Sequence, residues 1–202
     1  MQLAAPAIVI ASRAHGESAV IARLLTQEAG VVAAYVAGGR GRQLRPVVIP
    51  GNSVMTDIRS RSDSQLPSAR LELVQSRAPW LAEPLPAAAI GWVTAVTAAS
   101  LPERHPYGAL YTALDALLDA ICAAPSARGW AGALVAYEVL LLRELGYGST
   151  DAAPPRVNGL ADALVWLDRL ERAIATRLLA HSRADVMGAR ALLRERMGRM
   201  LG

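Results

Sequence analysis

Three observations predict a two-domain α+β architecture. The 202-residue chain opens with about 80 residues of short Val-, Ile- and Ala-rich runs cut by Gly and Pro, then turns Ala- and Leu-rich with helical spacing. The charge divides at the same place. Residues 1–80 hold 9 Arg against 5 acids, whereas residues 81–202 hold 12 against 12. A hydrophobic share of 53% with 19% charged residues supplies a core for both parts and excludes a disordered chain.

The strands come first. Ala7–Arg13, Ala19–Leu25 and Val31–Ala37 are apolar and β-branched, Ser53–Arg59 alternates, and Ala69–Arg77 alternates more cleanly. His15-Gly16, Gly30, Gly38-Gly39, Gly41, Pro46, Pro50-Gly51 and Pro67 separate them. Five short strands in about 80 residues predict a small closed barrel, because closure removes exposed edges. An OB-fold has this strand number and size, and an SH3-like barrel is the main competitor. The spacing then predicts helices over 86–100, 107–123, 129–145, 159–181 and 185–201, with Gly146 as a C-cap and a loop over 148–156. The domains are accordingly placed at 1–80 and 81–202. The uncharged stretch 84–102 is too poor in large apolar residues for lipid and reads as a core helix. The first residues lack a basic n-region, so no signal peptide is expected and the protein is expected in the cytoplasm, away from membranes.

Composition narrows the chemistry. Cys122 is the sole cysteine, which excludes an internal disulfide and a Cys-rich zinc site, and the absence of Lys excludes a P-loop and a Schiff base. His15, His105 and His181 are scattered. Asp115 and Asp119 read as solvated charges, and His15-Gly16-Glu17-Ser18 reads as a turn between strands. No catalytic constellation, metal or cofactor is expected. The sharpest feature is Gly38-Gly39-Arg40-Gly41-Arg42-Gln43-Leu44-Arg45. Its glycines let the backbone bend, and Arg40, Arg42 and Arg45 present planar donors suited to phosphate oxygens. Arg13, Arg23, Arg59, Arg61, Arg70 and Arg77 lie on or beside strands, where alternation places them toward solvent. If this part binds nucleic acid, Arg13, Arg23, Arg40, Arg42, Arg45, Arg59 and Arg61 are the candidate phosphate contacts. Tyr35 is the only aromatic residue before Trp80, so base stacking is expected to be weak or borrowed from arginine planes, and any nucleic-acid binding to be phosphate-led and salt-dependent. Arg190, Arg194, Arg196 and Arg199 read as an exposed face or a second anionic contact.

The order of segments resembles the RecO family of bacterial recombination mediators. The resemblance rests on Ala7-Ile8-Val9-Ile10, Arg13, His15-Gly16-Glu17-Ser18, Leu24-Leu25-Thr26, Gly30, Ala37-Gly38-Gly39-Arg40 and Leu140-Leu141-Leu142-Arg143-Glu144-Leu145-Gly146-Tyr147. His15 stands where the family usually has Tyr or a similar ring. The resemblance implies an N-terminal OB barrel, a helical C-terminal domain and a non-enzymatic role in the RecF pathway, with a nucleoid-associated location. It implies binding of single- and double-stranded DNA, strand annealing, and help for RecA loading onto DNA covered by single-strand-binding protein. Implied partners are RecR and the C-terminal tail of single-strand-binding protein. Many members carry a four-cysteine zinc-finger-like insertion after the Leu-Leu…Gly segment. Residues 148–156 have no cysteine there, so the helical domain is expected to rely on its apolar faces alone. A barrel that binds protein partners without touching DNA is the competing reading.

Overall fold

The computed structural model describes residues 2–60, 62, 65–148, 155–180, 182 and 185–201. Five strands, β1 (Gln2–His15), β2 (Ala19–Thr26), β3 (Gly30–Val36), β4 (Ser53–Arg59) and β5 (Ser68–Gln75), close into a barrel in the order β1-β2-β3-β5-β4. This is the predicted OB-type architecture. β1 is about twice the expected length because it serves two neighbours. Gln2–Ile8 pairs with β4, and Ala7–His15 pairs with β2, with a register shift between Val9 and Ala11. Such a bulge bends the strand and lets one chain turn the barrel corner. Its buried run Ala7–Ile10 therefore shows no alternation.

The barrel interior is filled from alternate positions. Val9, Val20, Ala22, Leu24, Val32, Ala34, Val54 and Ile58 belong to one buried cluster, with Leu71 packed against it. The β3–β5 closure is short. Tyr35 pairs with Ser68, and lower on β3 Val31 instead bridges Glu103 in a parallel arrangement. The backbone N–H of Arg104 also donates to the Val31 carbonyl at 2.9 Å. By its packing the chain forms two compact units, one of residues 2–82 with 101–111, the other of 83–100 with 112–201. The division expected at 80/81 gave the segment 101–111 to the helical part, whereas it packs with the barrel. Leu101 and Leu110 of that segment are buried, and backbone bonds and the Arg23–Glu103 ion pair tie it to the barrel.

Gly30 shows how tight that join is. It has φ +65°, and a Cβ there would lie 1.9 Å from the His105 carbonyl oxygen. Gly30→Ala is expected to destabilise the barrel by more than about 2 kcal/mol, since it combines a left-handed backbone with a backbone clash. A urea melt followed by circular dichroism measures this, and a loss below about 0.5 kcal/mol contradicts it.

The second unit contains α1 (Pro84–Ser100), most of α2 (Gly108–Ala123), α3 (Ala131–Glu144), α4 (Leu160–Ala173) and α5 (Val186–Gly198). α1 is a core helix, as expected of the uncharged stretch, with Ala89, Ile90, Trp92, Val93 and Val96 buried. The helix predicted over 159–181 is α4 followed by a π-helical turn, Ile174–Leu178. Residues 149–154 of the expected loop, and His181, lie outside the described residues.

Polar chemistry also holds this unit, contrary to the expectation of apolar faces alone. Glu138 on α3 is fully buried and accepts from Arg190 on α5 at 3.1 and 2.7 Å, and from the Trp92 indole N–H at 2.9 Å. Arg190 also donates to the Leu167 carbonyl at 2.7 Å and lies over the Trp92 ring. Four helices thus meet around one ion pair. Burial pushes the Glu138 carboxyl up, while Arg190 and Trp92 pull it back. Arg190 is only 3% exposed, which removes it from the exposed arginine face read from the sequence. Beside it, the hydroxyls of Thr97 and Tyr137 lie 2.5 Å apart, and burial pushes the Tyr137 phenol above its ordinary range. Cys122 is half-buried rather than a full core residue.

Candidate nucleic-acid interface

The arginine loop connects β3 to β4 and is a folded plug. Val47 and Val48 are buried in the barrel cluster, and Leu44 packs against it. A turn of helix forms within it, with the Arg45 N–H donating to the Gly41 carbonyl at 2.9 Å and the Val48 N–H to the Leu44 carbonyl at 3.1 Å. Leu44, Val47 and Val48 therefore face the barrel, while Arg40, Arg42 and Arg45 are exposed. Gly39 lets the loop lie close to β2, since a Cβ there would meet Val20 Cγ2 at 2.6 Å.

Two side chains that sequence reasoning did not place in the site hold this plug. Asn52 is fully buried. Its Nδ2 donates to the Pro46 carbonyl at 2.8 Å, and its Oδ1 accepts from the Arg77 backbone N–H at 2.8 Å. Arg77, expected on the solvent face, is instead 0% exposed and donates to the Gly51 carbonyl at 2.5 Å and Ser53 Oγ at 2.9 Å. It lies just past the end of β5, where strand alternation no longer sets direction. The sequence signal was the turn Pro50-Gly51-Asn52, in which an Asn side chain commonly bonds nearby backbone. Asn52→Ala is expected to cost about 1–3 kcal/mol, because it strands a buried N–H and releases a carbonyl. Thermal melting checks this, and an unchanged midpoint contradicts it.

Arg40 is a latch as well as a cation. Its guanidinium donates to the carbonyls of Gly16 and Glu17, both at 3.0 Å, and its backbone N–H donates to the Ser18 carbonyl at 2.9 Å. The β1–β2 turn and the arginine loop are thereby fixed to each other. Between them lies a cavity of about 450 Å³ lined by Ser12, Arg13, Arg40, Arg45, Ile49 and Pro50, among others. Three of the expected site residues, Arg13, Arg40 and Arg45, thus meet at one place, with Arg42 on the same loop. Among the described residues, Arg13, Arg42 and Arg45 have no acidic partner. Beyond the bulge, Ala11–His15 pairs only with β2, so this stretch of β1 presents a free edge to the cavity.

The other expected residues separate from this group. Register places Arg13, Ile21, Tyr35, Ser68 and Arg59 in one row across the outer face, so Arg59 is four strand spacings from Arg13, about 19 Å along the sheet. Arg59 donates to Asp57 at 2.8 Å, and this bond holds the Asp57 carboxyl below its ordinary range. Arg70 and Tyr35 share a small cavity with that pair, and the Tyr35 ring meets His15 edge-on at 5.9 Å. Arg23 is half-buried and bound to Glu103 at 2.6 Å, which gives it a structural task at the segment 101–111. Arg61 lies outside the described residues. No group of three or more His, Cys, Asp or Glu side chains suited to a metal occurs among the described residues, and no described helix is long and apolar enough to cross a membrane.

The comparisons with known proteins agree with this architecture. Residues 1–77 match the family described as Recombination protein O N terminal, and residues 84–149 match Recombination protein O C terminal. The chain is 38% identical over 177 residues to the DNA repair protein RecO of Phenylobacterium zucineum, covering 87% of this chain and 71% of that protein. It is 41% identical over 157 residues to the DNA repair protein RecO of Rhodospirillum centenum, covering 77% and 61% respectively. With the corresponding protein of Caulobacter vibrioides it shares 36% identity over 171 residues, covering 84% and 69%. A barrel and a helical unit in the same order, matched over both parts of the chain, identify it as a member of the RecO family of DNA repair and recombination proteins.

Proposed function

We propose that this protein is a non-enzymatic recombination mediator that binds single- and double-stranded DNA through phosphates at the loop-plugged end of its barrel. The observation that carries the reading is the meeting of Arg13, Arg40 and Arg45 at one cavity, with no acid beside Arg13, Arg42 or Arg45 among the described residues. Guanidinium groups fixed on a rigid loop match phosphate oxygens, and the surface offers few rings on which bases stack. Arg59 and Arg70 extend the contact along the outer face, Arg59 with its charge partly met by Asp57.

Annealing follows from the same chemistry. Two strands repel, and a cationic surface that neutralises phosphates without clamping bases lowers that barrier and then releases the paired product. RecA loading on covered DNA, with RecR and the tail of single-strand-binding protein as partners in the nucleoid, completes the mediator reading. The test is fluorescence anisotropy of labelled single- and double-stranded oligonucleotides titrated across salt. Binding to both, with little sequence preference and a steep fall with salt, is expected. No binding at low salt contradicts the reading and leaves a protein-binding barrel.

A further inference from the structure

The helical unit is electrically balanced in sequence, yet its charges are sorted in space. α4 carries Asp162, Asp168 and Glu171 among its acids. Asp168 accepts from Arg194 at 2.7 Å, which holds its carboxyl below the ordinary range. Glu171 lines a cavity with Arg190 and Arg194 of α5, and Asp162 accepts from the Asn158 backbone N–H at 2.9 Å. The acids are thus turned to other partners. Arg169, Arg172 and Arg177 are left exposed along another face, and together with Thr176 they line one cavity of about 630 Å³. None of the three has an acidic partner among the described residues.

Two features shape this face. The Arg169 guanidinium lies over the Trp166 ring, 5.3 Å from its centroid, a cation–π contact that helps hold the cation in place. The π-helical turn Ile174–Leu178 follows α4 and carries Thr176 and Arg177, and such turns frequently mark functional sites. At a rise of about 1.5 Å per residue, Arg169 to Arg177 spans about 12 Å, long enough to meet more than one phosphate of a DNA strand. Planar guanidinium forks match phosphate oxygens, which makes a nucleic-acid backbone the ligand this face suits.

We propose that Arg169, Arg172 and Arg177 form a second nucleic-acid backbone site, so that one copy of the protein holds a second strand apart from the strand at the barrel. This site extends the DNA-binding reading above and rests on it. Annealing gains from such a site, because both strands are then carried by the same molecule at high effective concentration.

The experiment uses the full chain. One oligonucleotide is fixed to a surface, the protein is bound to it, and a labelled second oligonucleotide of non-complementary sequence is added. The parent protein is expected to capture the second strand. The R169Q/R172Q/R177Q variant is expected to hold the fixed strand within about twofold of the parent and to capture the second at least tenfold less. An Arg→Lys version of the same three positions keeps the charge and is expected to recover most of the capture. Because the side chains are exposed, melting midpoints are expected to match the parent. Undiminished capture of the second strand by the glutamine variant overturns the proposal, as it does if that variant instead loses binding of a polyglutamate peptide. Failure of the barrel reading shows separately, as unchanged binding of the fixed strand by R42Q/R45Q.

Discussion

Arg42→Gln with Arg45→Gln is expected to weaken single-stranded DNA binding about 25-fold at about 0.1 M salt. Each phosphate neutralised on a single strand contributes a slope of about 0.7 in log affinity against log salt. Over the decade between about 0.1 M and 1 M that is a factor of about five per phosphate. Removing both guanidinium groups therefore gives a factor of about 25, and the slope falls by about 1.4. Both side chains are exposed, and neither makes a hydrogen bond that holds the loop. The melting midpoint is therefore expected to stay put. The weakening is expected to be alike for all sequences, because phosphates carry no base identity. Arg40→Gln is a different experiment. It removes a cation and also unlatches the loop from the Gly16 and Glu17 carbonyls, so it changes site geometry as well as charge. Anisotropy titrations at several salt concentrations read affinity and slope together. An unchanged slope in R42Q/R45Q removes these residues from the interface.

The second large effect belongs to stability. Glu138→Gln is expected to destabilise the helical unit by about 3–5 kcal/mol, because Arg190 is left as a buried cation without its counter-charge. For a unit of this size that lowers the melting midpoint by more than about 10 °C. Replacing both partners, Glu138→Leu with Arg190→Met, is expected to recover most of the stability, since no charge then needs burial and the volume is nearly kept. Circular-dichroism melts of the parent, Glu138→Leu, Arg190→Met and the double variant form the cycle, with Glu138→Gln measured beside them. The two units need not unfold together, so the helical signal is followed beside tryptophan fluorescence, which three of the four tryptophans, Trp92, Trp130 and Trp166, report from the helical unit. A double variant no more stable than Glu138→Gln contradicts the account of the network as a charge that must be matched. Neutral Gln keeps the acceptor for Trp92, so the cost isolates the charge rather than the hydrogen bond from the indole.

Much of the architecture was legible because it rests on periodicity. Five strands, their breakers and the switch to helical spacing after Pro79 follow from apolar runs rich in Val, Ile and Ala, from alternation and from turn residues. The closing order and the long β1 were not, since a bulge such as that between Val9 and Ala11 leaves no mark in an all-apolar run. The arginine loop was legible as a cationic, glycine-rich turn. Its second face was missed, because Leu44, Val47 and Val48 read as isolated apolar residues until the loop closes over the barrel. Strand alternation put Arg77 in solvent, but the residue lies past the end of its strand and is buried against a backbone carbonyl. Arg23 read as one more free cation until Glu103, distant in sequence, supplied its carboxylate. The same limit hid the face of Arg169, Arg172 and Arg177. A balanced charge count says nothing of which acids turn toward which helix.

The loop-plugged end of the barrel as the first DNA contact is the claim on which the rest depends. Hydrogen–deuterium exchange of the full chain, with and without a saturating short single-stranded oligonucleotide, tests it most directly. Protection is expected in the free-edge stretch 11–15 of β1 and in the loop 38–50. Unchanged exchange in both stretches, with protection elsewhere on the barrel, contradicts the account.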